Sequence, residues 1–257
     1  MSPMTETARL VCVQEQGVCS ITLNRPDKRN AIDSLMIEQL LEALEHADLD
    51  ATVRVVVLRG SGKDFCAGMD LAELLGSADR AVAENRDAAL RFTEVFLRMR
   101  RMPKPVLAAV QGRALAGGAG LATAADLVLA QRSAQFGYPE VQRGFVPAIV
   151  LTLLKRAVGE KMAFDLATTG RILTAGEAAA CGLVSRVIDD DAFDTQVRAL
   201  CAALAGTSAS ALALTKQQFY ELDGLPFEEG LRLGADVNAV SRTTPDFRSA
   251  IAAFLKK

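Results

Sequence analysis

The sequence predicts an α/β fold with a largely parallel sheet, followed by an all-helical C-terminal region. Strand-like and helix-like stretches alternate through the first 190 residues or so, which favours parallel pairing through crossover helices. One stretch, Val53–Leu58, is a β-branched run typical of a strand buried on both faces. Beyond residue 192 only helical patterns remain. We therefore divide the chain into an α/β core, residues 1–191, and a helical region, residues 192–257.

The elements of the core follow in order. Arg9–Gln14 and Val18–Asn24 alternate apolar and polar residues around Glu-Gln-Gly, which predicts a hairpin. Asp33 is a good N-cap for a helix whose apolar residues recur at helical spacing. The same patterns predict the Val53–Leu58 strand, a helix over residues 80–101, strands at Val106–Val110 and Asp126–Ala130, a helix at Gly159–Thr169 and a strand at Leu183–Ile188.

The C-terminal region contains four predicted helices: Ala192–Ala205, Ser208–Leu222, Phe227–Arg242 and Pro245–Lys256. The last of them has a clear start in Thr244-Pro245-Asp246, with proline at its first position and an acid in its first turn.

Composition narrows the function classes. Half of the 257 residues are hydrophobic, 23% are charged and the formal net charge is −2, which gives no overall basic field for nucleic acid. The five cysteines are scattered and form no C-x-x-C pair, so we expect a reducing compartment, no disulfide and no metal site. With no apolar leader, and no apolar stretch longer than Ala114–Ala125, we expect a cytoplasmic protein without a membrane partner.

The glycine-rich segment Gly117-Gly118-Ala119-Gly120 is the strongest local motif. It follows a predicted strand and opens an apolar stretch that can be helical, so its free N–H groups can bind an anion. Glycines for tight packing explain the segment equally well. A dinucleotide fingerprint fails, because Thr123 stands where a third glycine is needed.

Two further loops follow strands. Gly60-Ser-Gly-Lys63 is not a phosphate loop, because Val57 and Asp64 replace the first glycine and the Ser/Thr of that motif. Phe65-Cys-Ala-Gly-Met-Asp-Leu71 is either an ordinary turn, with Asp70 capping the next helix, or part of a site.

Taken together, the motifs resemble the enoyl-CoA hydratase/isomerase (crotonase) family. The resemblance rests on Ile21–Ala31, on Phe65–Leu71, on Val110–Gly118, on Phe136-Gly-Tyr-Pro-Glu140 and on Pro245–Leu255, in order and at natural spacings. It implies a spiral of ββα units with a C-terminal trimerisation region, an acyl-CoA substrate and a homotrimer or homohexamer. No cofactor is expected, since coenzyme A is part of the substrate.

The resemblance also implies residue roles. The N–H groups of Ala67 and Gly117 are expected to bind the thioester oxygen as an oxyanion hole, and Glu140 to move the proton beside the thioester. Further substrate-binding positions are expected at Lys28, Ala31, Gly68, Asp70, Gly118 and Gly120.

The sequence departs from the two-glutamate hydratases at Gly120, where those enzymes carry their second acid. We expect the missing side chain to leave room for water, an anion, or a branch or carboxylate of the substrate, and Gly120→Glu to raise crotonyl-CoA hydration. The segment Gly144–Ala148 resembles methylglutaconyl-CoA hydratases. Three functions therefore stay open: hydration of a branched or carboxylated enoyl-CoA, isomerisation of a 3-enoyl-CoA by Glu140 alone, and acyl-CoA binding without catalysis. A serine hydrolase is disfavoured, because the only histidine is His46 and G-x-S-x-G is absent.

Overall fold

The computed structural model describes residues 8–256 and shows the alternation of strands and helices expected for the core. Its strands are β1 (Leu10–Glu15), β2 (Val18–Leu23), β3 (Val55–Gly60), β4 (Val106–Val110), β5 (Arg113–Leu115), β6 (Leu127–Gln131), β7 (Gln135–Gly137), β8 (Ile172–Thr174) and β9 (Arg186–Ile188).

All the predicted helices are present, and α2 is the short helix that Asp70 could cap; α5 and α7 were not predicted. The bounds of the helices are α1 (Ser34–Leu49), α2 (Leu71–Gly76), α3 (Val82–Arg101), α4 (Gly117–Ala124), α5 (Ala148–Val158), α6 (Glu160–Thr169), α7 (Ala175–Ala180), α8 (Phe193–Ala205), α9 (Ala209–Glu221), α10 (Phe227–Ser241) and α11 (Pro245–Phe254). Two 3-10 helices are Pro26–Lys28 and Pro139–Arg143.

The main sheet has six strands in the order β1-β2-β3-β4-β6-β9. Only the β1–β2 hairpin is antiparallel, and its turn uses two residues with positive φ, Gln16 at 49° and Gly17 at 80°. This turn geometry matches the right-handed twist of paired strands, which explains why the Glu-Gln-Gly signal was reliable. All other pairs in this sheet are parallel, as predicted.

A second sheet of three strands, in the order β5-β7-β8, was not predicted. Each of these strands has three residues, too few to show an alternation in the sequence. Strands β5 and β7 pair in parallel, and β7 and β8 pair antiparallel.

Helices cover both faces of the main sheet. The larger core lies between one face and α1, α3, α4, α5 and α6, while α8 covers the other face. Phe193, Val197 and Cys201 of α8 are buried against Val55 and Leu107. Helix α8 therefore packs as part of the core, although it lies beyond the boundary that we placed at residues 191/192.

The last two helices differ from α8 because α10 and α11 bury none of their described residues. Helix α9 is attached to the core through Lys216, whose Nζ pairs with Asp126 Oδ2 at 2.7 Å and donates to Met99 O at 2.7 Å, and through Tyr220, whose hydroxyl donates to Asp126 Oδ1 at 2.7 Å. Among residues 8–256 no single helix is long and apolar enough to cross a membrane. In the same residues one bent helix pair, α8 and α9, has sufficient combined length and apolar composition, and these two properties are all that it shares with a membrane span.

Candidate active site

Three chain segments run side by side in the same direction and carry the predicted catalytic residues. A parallel bridge joins Cys66 to Ala114, and the parallel β5–β7 pair joins Ala114 to Phe136. Parallel neighbours end at the same edge, so the residues that follow these three are brought together there. This register explains how motifs far apart in the sequence form one site around Met69, Gly117 and Glu140.

The start of α4 presents the Gly117 N–H. Ala116, just before it, has φ 50° and ψ −123°, a conformation that is costly for a residue with a Cβ, and its own N–H donates to Gly137 O at 2.8 Å. Gly117 is the first residue of the helix, so its N–H has no partner within the helix, and it has none elsewhere in residues 8–256. Gly117 lines the cavity described below.

The structure corrects the second predicted donor, the N–H of Ala67. Its N–H donates to Arg29 O at 2.9 Å, so it already has a partner within the protein. Two residues later, the Met69 N–H has no partner among the described residues, and Met69 lines the same cavity as Gly117. The N–H pair that the fold leaves free for a thioester oxygen is therefore that of Met69 and Gly117. The sequence could not reveal this, because both groups belong to the backbone.

Glu140 lies in the 3-10 helix that follows β7, and its residue is only 7% exposed. Its Oε2 atom is buried without a hydrogen-bond partner in the described part of the chain. Burial raises the pKa of Glu140 above its usual value. A buried, unpaired carboxyl group with a raised pKa is typical of a general acid or base.

A cavity of about 590 Å³ contains Glu140, Met69 and Gly117. Its walls come from α1, α2, α3 and the segment from Phe145 to Val150 and are mostly apolar. This volume lies in the range of small-molecule sites, and a dry apolar wall strengthens hydrogen bonds to a developing charge.

Comparison with known proteins decides the family. A family model described as enoyl-CoA hydratase/isomerase matches residues 13–257. A putative enoyl-CoA hydratase of Thermus thermophilus is 43% identical, over 96% of this chain and 98% of the relative. The chain belongs to the enoyl-CoA hydratase/isomerase family.

Two further similarities show the range of this family. The 1,2-epoxyphenylacetyl-CoA isomerase of Escherichia coli is 34% identical, over 95% of this chain and 94% of the relative. The crystal structure of an enoyl-CoA hydratase of Mycobacterium smegmatis superimposes with a TM-score of 0.93, at 34% identity, over 97% of this chain and 96% of that one. The crotonase fold and the assignment as an enzyme of this family are thereby confirmed.

Gly120, the position at which the sequence lacks the expected second acid, does not border an open space. A Cβ atom built there would lie 2.4 Å from Val150 Cγ1 and 3.3 Å from Phe96 Cζ. Val150 itself lines the cavity and is 4% exposed, whereas Gly120 is absent from the cavity wall. The expected room for water or a substrate branch at Gly120 is therefore wrong, because Val150 of α5 fills it.

None of the six predicted substrate-binding residues lines this cavity, and three of them have other surroundings or roles. Lys28 is exposed, the Ala31 carbonyl accepts from Arg25 Nη1 at 2.6 Å, and Asp70 caps α2 by accepting from Ala72 N at 3.0 Å. Asp70 thus performs the capping role that the sequence offered as an alternative. Contact of these residues with the coenzyme stays a prediction.

Gly68 and Gly118 allow two of the three segments to approach closely. A Cβ at Gly68 would lie 2.8 Å from Ala116 Cβ, and one at Gly118 would lie 2.4 Å from Cys66 O. Both positions therefore require glycine for close approach of the backbone, and for Gly118 this is the packing role that the sequence left open.

Several residues of the cavity wall were not predicted from the sequence, because no motif marks them. Phe92 of α3, along with Phe145 and Val150, lines the cavity. The spacing of apolar residues in α3 and α5 indicates burial, but it does not distinguish a core residue from a cavity wall. His46 is exposed on α1, and no group of three or more His, Cys, Asp or Glu in residues 8–256 can hold a metal ion.

Proposed function

We propose that the protein hydrates a 2-enoyl-CoA thioester, with Glu140 as the only carboxylate that moves protons. The supporting observation is that the unpartnered Oε2 of Glu140 shares one cavity with the free N–H groups of Met69 and Gly117. The names of several relatives as enoyl-CoA hydratases support the same reaction.

In this mechanism Glu140 takes a proton from water as the water oxygen bonds to C3 of the substrate. The electron pair of the C2–C3 double bond moves onto the thioester oxygen, which accepts hydrogen bonds from the Met69 and Gly117 N–H groups. The enolate then collapses, and C2 takes the proton back from Glu140. Two preorganised donors of this kind contribute about 3–4 kcal/mol each to the stability of the oxyanion.

The cavity volume supports an acyl group larger than crotonyl, as expected for a branched or carboxylated enoyl-CoA. A homotrimer or homohexamer is part of this proposal, supported by the unburied apolar residues Phe227 and Phe254 on α10 and α11.

Isomerisation of a 3-enoyl-CoA is the second candidate, and Val150 is the observation that favours it. With an apolar side chain where a second acid would hold water, Glu140 can instead carry one proton from C2 to C4. The isomerase among the relatives agrees with this chemistry.

The test is a panel of thioesters: crotonyl-CoA, a branched and a carboxylated 2-enoyl-CoA, and a 3-enoyl-CoA. Hydration adds the mass of water, whereas isomerisation leaves the mass unchanged and conjugates the double bond. Glu140→Gln should lower turnover about 10²–10⁴-fold with binding kept, while the exposed control Glu15→Gln should not change it. Full turnover by folded Glu140→Gln would reject both candidates.

A further inference from the structure

Most of the polar groups in the cavity wall away from Glu140 already have partners. Arg91 Nε donates to Glu38 Oε1 at 2.9 Å, and Arg91 Nη2 also contacts the second oxygen of Glu38. Both oxygens of Glu73 accept from Ser34, from its N–H and its hydroxyl, at 2.8 Å each. The charged groups of these residues therefore already have hydrogen-bond partners within the protein and do not require a ligand.

Arg80 is the exception among the cations of this wall. It lines the cavity, and its guanidinium has neither an ion pair nor a side-chain hydrogen bond within residues 8–256. A guanidinium offers five N–H donors in a planar fork that matches a carboxylate. Away from Glu140, the described cavity wall therefore presents one cation without a partner, and its other side chains are apolar or hydrogen-bonded within the protein.

The backbone that carries Arg80 is anchored. Arg80 N–H donates to Ser77 O at 3.1 Å, and Asn85 Nδ2 donates to the same oxygen at 3.1 Å. The Ser77 hydroxyl in turn donates to Leu74 O at 2.8 Å. These bonds tie the turn between α2 and α3 to both helices, and Leu74, Ser77 and Asn85 all line the cavity with Arg80. The backbone at Arg80 is thus held beside the cavity, and its exposed side chain extends from this anchored turn.

We propose that Arg80 binds a carboxylate at the far end of the acyl group, so that the enzyme prefers thioesters of dicarboxylic acids. The inference rests on the proposed function in that an acyl-CoA occupies this cavity, but it holds for hydration and isomerisation alike. The volume of about 590 Å³ accommodates an acyl chain much longer than four carbons. A carboxylate at its end would gain a charge-assisted, two-pronged hydrogen bond from Arg80.

Binding measurements test the proposal without any turnover. The probes are hexanoyl-CoA and adipoyl-CoA, which have the same chain length, differ in the terminal carboxylate and are saturated, so neither is hydrated or isomerised. Dissociation constants come from calorimetry for the unmodified protein, for Arg80→Gln, for Arg80→Lys and for Arg86→Gln. Arg86 is an exposed arginine of α3 outside the cavity wall, and it serves as the charge-matched control.

We expect adipoyl-CoA to bind the unmodified protein about tenfold more tightly than hexanoyl-CoA, since Arg80 is partly open to solvent. Arg80→Gln should abolish this preference, Arg80→Lys should keep part of it, and Arg86→Gln should keep all of it. Equal weakening of both probes by Arg80→Gln would show that Arg80 contacts the coenzyme instead, and would overturn the proposal. So would equal affinity of the unmodified protein for the two probes. If the protein binds both probes with this preference yet turns over no enoyl-CoA, the proposed reaction fails and the role of Arg80 stands.

Discussion

The contact between Gly120 and Val150 gives a quantitative prediction about the site. Gly120 lies inside α4, where alanine is favoured over glycine by about 1 kcal/mol. The added Cβ, however, would lie 2.4 Å from Val150 Cγ1, well below a normal van der Waals distance. Overpacking of a buried site costs about 1–3 kcal/mol, so Gly120→Ala alone should range from neutral to about 2 kcal/mol destabilising.

Val150→Ala removes the methyl group that clashes. The nearest remaining atoms are then Phe96 Cζ and the Cβ of residue 150, both at 3.3 Å, which are tight but tolerable contacts. In this background Gly120→Ala should recover the helix preference. The double variant should therefore be about 1–3 kcal/mol more stable than the sum of the single effects. For a domain of this size, 2 kcal/mol corresponds to roughly 4–8 °C in Tm.

The assay is a double-mutant cycle by urea unfolding, followed by circular dichroism at one fixed protein concentration. Additivity within about 0.5 kcal/mol would refute the reasoning, because it would mean that the two side chains do not compete for the same space.

The same two positions also give a prediction about catalysis. Gly120→Glu by itself should not raise crotonyl-CoA hydration, whereas Gly120→Glu together with Val150→Ala opens room for a second carboxylate.

Three further predictions concern the acid, the oxyanion donor and assembly. Burial raises the pKa of Glu140 in the folded state above the value near 4.3 in the unfolded chain, so ionisation of this group destabilises the folded state. The free energy of unfolding is unaffected below the unfolded pKa and falls as the pH rises through the folded pKa. Glu140→Gln should therefore be more stable than the unmodified protein in urea at pH 8, with no such gain at pH 4. Gly117→Pro, which lacks the N–H, should lower turnover about 10²–10³-fold, while Gly117→Ala keeps the N–H and should retain more activity; equal rates for two folded variants would speak against the donor. Sedimentation should show an oligomer at micromolar concentration that Phe227→Asp/Phe254→Asp dissociates, and a monomeric unmodified protein would disprove this.

The sequence by itself determined the elements with long or well-punctuated patterns. The Val53–Leu58 run indicated a buried strand, Asp33 indicated the start of α1, and Thr244 indicated the start of α11; in the structure the side chains of both caps accept backbone N–H bonds. These signals are local, because a cap or a β-branched run acts through its immediate neighbours in the chain. The family motifs likewise placed Gly117 and Glu140 in the site.

Tertiary structure alone decided which backbone groups are available to a ligand. Ala67 and Met69 are two residues apart in one loop, and their side chains do not reveal which of the two N–H groups is available to a ligand. The N–H of Ala67 donates to Arg29 O, 38 positions earlier in the chain, whereas the N–H of Met69 has no partner between residues 8 and 256. Hydrogen bonds between distant segments depend on packing, which no local pattern encodes.

The same reason applies to the glycine that replaces the second acid. The sequence determined that Gly120 carries no carboxylate, but glycine alone suggests empty space. Only the packing of α5 across α4 shows that Val150 occupies that space. A missing side chain is local information, whereas the volume that it leaves belongs to whichever neighbour the fold brings against it.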